Sequence, residues 1–183
     1  MKHGWRKSWQ CASLVLGAVA LLAAQAASRR VSELTLAGLR PGKSTLNDAL
    51  QSFSLAPEPI EGNRYRFTLC PGVFLKIESD DQNVIQTVTL SRLHTVPACT
   101  EKQAEERWRT GRGLKLGDSR AKVIALYGEP TSSGPSLHDG RELEFLFYAF
   151  DWAGPEVPQV LEVLCDPAAH GRVVQITLAF PTL

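Results

Sequence analysis

The chain has 183 residues, 44% of them apolar and 21% charged, with a formal charge of +1. That is material for one full core or two small ones. Setting aside Lys2, Arg6 and Lys7 of the N-terminal leader leaves 17 basic against 19 acidic side chains, which excludes the basic footprint of a nucleic-acid binder.

The first element in chain order is that leader. Lys2, Arg6 and Lys7 form a basic region, CASLVLGAVALLAA an apolar one, and Ala24-Gln25-Ala26 a small-x-small cleavage pattern, so residues 1–26 read as an export signal peptide cut near Ala26. Uncleaved, the same stretch is a membrane anchor over residues 11–27. Cys11 precedes the apolar run and lacks the small residues that a lipidation site needs. Residues 27–37 are an N-terminal segment.

Residues 37–45, AGLRPGKST, are similar in pattern to a phosphate-binding loop with Gly42-Lys43-Ser44 at its end. The loop requires its first glycine five residues before the second, and Ala37 holds that place while Gly38 is one residue late. The alternative is turn chemistry leading into a helix. Ser44 or Thr45 caps it with help from Asp48, and Leu46, Ala49, Leu50 and Phe53 share one face. Strands are predicted over 64–70 (RYRFTLC), 72–78 (GVFLKIE) and 83–92 (NVIQTVTLSR). Alternation turns Tyr65, Phe67, Leu69, Val73, Leu75, Ile77, Val88 and Leu90 toward a core. Arg66, Thr68, Lys76, Glu78, Thr87 and Thr89 take the other side.

Residues 100–113, TEKQAEERWRTGRG, read as a polar helix capped by Thr100 and stopped at Gly111, within a connecting segment over 93–112. The motif then returns: GLRPGKST at 38–45 has its counterpart in GLKLGDS at 113–119. Asp118 or Ser119 caps a second helix with Val123, Leu126 and Tyr127 as its stripe, and Gly128 with Pro130 stops it. Strands follow over 142–150, 159–165 and 172–180. Here Leu143, Phe145, Phe147, Leu161, Val163, Cys165, Ile176 and Leu178 are expected inward. Glu144, Leu146, Tyr148, Phe150, Glu162, Gln175 and Thr177 are expected on the outer face. The duplication predicts an α+β fold of two tandem units, over 38–92 and 113–183. Each is a short helix followed by a three-stranded antiparallel meander, with helices on one sheet face.

Gly117, Ser119, Val123, Gly128, Pro130, Asp166, Gly171 and Val173 resemble the helix and D-x-x-G-x-V hairpin of the SmpA/OmlA (BamE-like) envelope lipoprotein domain, with a longer turn. Two such units in one exported chain also resemble the β-lactamase inhibitor protein. That resemblance implies a concave sheet that grips a partner protein.

Chemistry-bearing residues are sparse. His94, His138 and His170 stand singly in loops and make no metal site. Glu142, Glu144 and Glu162 read as solubilising carboxylates, and no nucleophile has a base beside it, so no catalytic residue, cofactor or metal is expected. Cys70 and Cys99 fall at one edge of the first meander and are expected to form a disulfide, stabilising that unit by about 3 kcal/mol on the chain-entropy model. Cys165 is expected as a buried free thiol.

The sequence thus points to a secreted or periplasmic, non-enzymatic protein-binding module. Its expected contact residues are Tyr148, Phe150, Trp152, Glu144 and Glu162 on the outer sheet face, together with the loop 151–158. The partner is a protein in the envelope or outside the cell, with no nucleic acid. The alternative function is an envelope scaffold supporting outer-membrane or cell-wall assembly. A nucleotide-binding enzyme acting through Gly42-Lys43-Ser44 is the remote third reading.

Overall fold

Helix α1 (Leu46–Phe53) begins because Thr45 and Asp48 form a reciprocal capping box: each side chain accepts from the other residue's backbone N–H. It ends at Ser54, whose left-handed backbone stops further turns. Ala49 is buried, and Phe53 lays its ring 5.7 Å from that of Phe67 on the sheet below. Helix α2 (Arg120–Tyr127) is capped more simply, by Ser119 accepting from the Lys122 N–H at its start and by Gly128 at its end, and it buries Val123 and Tyr127. The computed structural model describes residues 32–92, 106–150 and 160–180. The leader, Cys99, Trp152 and the loop 151–158 lie outside the described residues.

After α1 come β1 (Glu58–Pro59), β2 (Arg64–Cys70), β3 (Val73–Ser79) and β4 (Ile85–Arg92); after α2 come β5 (Ser132–His138), β6 (Arg141–Ala149), β7 (Val160–Asp166) and β8 (Arg172–Ala179). All eight form one antiparallel sheet in the order β1-β2-β3-β4-β8-β7-β6-β5. The expected pair of units, each a helix with a three-stranded meander, is therefore overturned. Both halves gain a leading strand, and they fuse where β4 pairs with β8 through Val88↔Leu178, Thr89↔Thr177 and Leu90↔Ile176. Fusion has a physical reason. Left separate, β4 and β8 would each present an unpaired edge of β-branched residues, and pairing them removes both.

The duplicated turns meet the sheet in the same way. Gly42 donates its N–H to the Ile85 carbonyl at 2.7 Å, and Gly117 donates to that of Val173 at 2.8 Å. In return Ile85 donates to Ser44 and Val173 to Asp118, each at 2.8 Å. Each turn thus stitches its helix to the last strand of its own half. From Gly42 onward the AGLRPGKST stretch also keeps none of its N–H groups for a phosphate. Lys43 and Ser44 donate to the Arg40 carbonyl, Thr45 to the Asp48 carboxylate, and Leu46 to the Asn83 carbonyl.

The core lies between the helices and one sheet face, and it runs across the seam in a single cluster. One row of it reads Phe67, Leu75, Leu90, Ile176, Val163 and Leu146 from β2 to β6. A polar node ties in the N-terminal segment. Glu33, 1% exposed, accepts hydrogen bonds from the N–H groups of Leu34, Thr35, Gly111 and Arg112 and from the Tyr127 hydroxyl at 2.8 Å. Burial of the Tyr127 phenol, which also bonds Thr110 at 2.7 Å, pushes its pKa up. The polar helix expected to run to Gly111 stops before Trp108. Trp108 enters the core, Arg109 bridges to Lys115, and Thr110 bridges to Leu36.

Candidate protein-binding face

The face of the sheet opposite the helices is covered by neither of them. Its central row crosses all eight strands: Glu58, Arg66, Lys76, Thr89, Thr177, Glu162, Phe147 and Ser132, each directly opposite the next. A second row reads Thr68, Phe74, Ser91, Gln175, Leu164, Phe145 and Gly134. Residues from both halves therefore lie side by side on one surface. The half-buried rings of Phe145 and Phe147 stand 6.2 Å apart. At the other end the Arg66 guanidinium, ion-paired with Glu58, lies 5.4 Å from the centre of the Phe74 ring. Between them is a cleft of about 340 Å³ with Phe74, Leu143 and Leu164 among its apolar walls and Arg66, Lys76, Arg92 and Arg141 at its rim. Arg141 is held by the buried Asp166 carboxylate.

This arrangement corrects the expected contact set. Tyr148 is 0% exposed and Phe150 7% exposed, and both belong to the core. The Tyr148 ring lies 5.7 Å from that of Tyr127, and its hydroxyl donates to the Gly128 carbonyl at 3.1 Å. Glu144 also sits on the helix-bearing side, where Arg120 Nε reaches both its oxygens at 2.8 and 2.9 Å. Phe145 and Phe147, expected inward, are on the open face. The phase of β6 is inverted because residues 145–150 read FLFYAF, a run with no polar residue to mark a side. A tight turn to β7 would have fixed the register, but the intervening residues 150–159 are too many for that. Of the expected contacts, only Glu162 is on the open face, and Trp152 lies outside the described residues. The usable signal is the alternation of β7, which puts Glu162 on this face opposite Phe147.

Glu162 is half-buried between Phe147 and Thr177, and loss of solvent raises its pKa. It has no hydrogen-bond or ion-pair partner among the described residues. Cys165 is the free, buried cysteine among the described residues; burial first and the Glu144 charge second push its thiol up to about 11, so it holds little nucleophilic thiolate near neutrality. Cys70 takes part in a disulfide whose partner lies outside the described residues, where the expected Cys99 also lies. Among the described residues no three potential metal ligands come together. No helix among them is long and apolar enough to cross a membrane.

Comparison with solved structures agrees on a shared fold. A DUF4309 family protein from Bacillus subtilis is similar with a TM-score of 0.52 at 13% identity, over 82% of this chain and 88% of that one. A cysteine-rich secretory protein from Staphylococcus aureus is similar with a TM-score of 0.50 at 11% identity, over 82% of this chain and 48% of that one. At such identities the likeness shows the fold alone. A candidate β-lactamase inhibitor protein from Streptococcus mutans aligns over 81% of this chain and 90% of its own at 13% identity, but its TM-score of 0.28 carries no argument. No family model matches the sequence, and no curated protein is similar to it in sequence. The SmpA/OmlA resemblance is thus not shown.

Proposed function

We propose that the chain is an exported, non-enzymatic protein-binding module that docks a partner on the open face of its single sheet. The observation that carries this reading is the pairing of two half-buried aromatic rings with an unpaired carboxylate. Phe145, Phe147 and Glu162 stand together on a face that neither helix covers, and aromatic residues are enriched at protein–protein interfaces. Export rests on the leader over residues 1–26, and with it the Cys70–Cys99 disulfide. The raised thiol pKa of Cys165 and the fully engaged N–H groups after Gly42 weigh against the enzymatic readings.

Affinity capture from the organism's own envelope extract tests the proposal. The wild-type mature chain is expected to retain a discrete protein that a folded Phe145→Ala/Phe147→Ala variant releases. Equal retention by both would remove the open face from the account.

A further inference from the structure

Glu162 on β7 and Lys76 on β3 occupy the same cross-strand row, separated by Thr177 on β8 and Thr89 on β4. Three strand spacings set them about 14 Å apart. Neither side chain has a hydrogen-bond or ion-pair partner among the described residues. The two threonines between them bond each other at 3.1 Å, leaving a low bridge between a negative pole and a positive one. The two poles differ in their surroundings. Around Glu162 stand Phe147 and Thr177 across the strands and Val160 and Leu164 along its own, none of them charged. Around Lys76, the Arg66 charge is taken by Glu58 and that of Arg141 by Asp166, Arg92 shares the same cleft, and Glu78 lies two residues along the strand, opposite an Arg64 that is ion-paired with Glu61.

We propose that the open face accepts an extended segment of a partner protein that crosses the strands, presenting a cationic side chain to Glu162 and an anionic one to Lys76. This rests on the protein-binding reading above and adds the partner's chemistry. An extended chain rises about 3.4 Å per residue, so about 14 Å corresponds to four residues. That spacing is even, which turns both charged side chains toward the sheet. The apolar side chains between and beside them meet Phe147 at one pole and Phe74 at the other. Polarity is selected as well as spacing. An acidic residue brought to Glu162 would put two carboxylates together where solvent is already scarce, which penalises the reversed segment.

Selection of random displayed peptides of about twelve residues on the immobilised mature chain tests this. The expected survivors carry Lys or Arg four positions from Asp or Glu, and their affinity falls at least about tenfold on Glu162→Gln and on Lys76→Gln. The double variant Glu162→Lys/Lys76→Glu, checked for an unchanged fold by circular dichroism, is expected to weaken these peptides further, since each pole then meets its own charge. Survivors that lose binding on Phe147→Ala but show no charge spacing would overturn the inference and leave the protein-binding face standing. Survivors indifferent to Phe147→Ala, or no survivors at all, would overturn the face itself.

Discussion

At the scale of single residues, two carboxylates show how burial and partners decide different fates. Glu33 is buried but fully answered: four backbone N–H groups and one phenol donate to it, and Gly111 approaches so closely that a Cβ there would lie 2.7 Å from the carboxylate oxygen. Charge-assisted bonds of this kind are the strong ones, so Gly111→Ala is expected to cost about 2 kcal/mol or more by breaking into the node. Chemical denaturation reads this as a lower midpoint. Glu162 is the reverse case, half-buried and unanswered, with its pKa raised by lost solvent. A raised carboxylate binds its proton more tightly folded than unfolded, so its contribution favours folding at acid pH and is lost as pH rises through the shifted value. Glu162→Gln is therefore expected to leave stability unchanged at low pH and to raise the midpoint at neutral pH, a gain in stability at a site argued to bind. A variant less stable at pH 7 than wild type would contradict the desolvation argument. Glu33 was not legible in the sequence because three of its five partners come from residues 78 to 94 positions away, whereas Glu162 was, through strand alternation.

At the scale of elements, the sequence made the helices and most strands plain. The capping chemistry of GLRPGKST and GLKLGDS put both helix starts within a residue, and the predicted strand over 64–70 is β2 as found. Two kinds of element escaped. The edge strand β5, SSGPSLH, carries one large apolar residue, and Leu137 is 78% exposed; edges tolerate Pro and polar residues that a sequence pattern reads as loop. Strand β6 was found but turned over, because an unbroken apolar run carries no phase. Adjacent residues on β6 give a direct check of that correction. Tyr148→Ala removes a fully buried ring and its bond to Gly128, for an expected loss of about 3–5 kcal/mol. Phe147→Ala removes a half-buried ring from the open face and is expected to cost about 1 kcal/mol or less. Equilibrium unfolding of the two variants separates the faces, and comparable losses would mean that β6 has no open side.

For the whole molecule, the duplication was readable, but its outcome was not. A repeat shows that two similar segments exist; whether their last strands pair is decided by edges that no local pattern describes. The β4·β8 seam joins the halves into one sheet, and the core cluster crosses it without a break. Thermal unfolding of the mature chain is accordingly expected as one cooperative transition, with calorimetric and van't Hoff enthalpies in agreement; two separable transitions would restore the picture of independent units. The seam also matters for function. It sets Lys76 from the first half and Glu162 from the second in one row on one surface, which two separate sheets would not do. The most direct test of that surface is photo-crosslinking in living cells, with a photoreactive phenylalanine analogue placed at Phe147 on the open face or, as control, at the exposed Leu50 of α1 on the helix side. The account predicts a discrete protein adduct from position 147 and none from position 50. An adduct from position 50 with none from position 147 would contradict it.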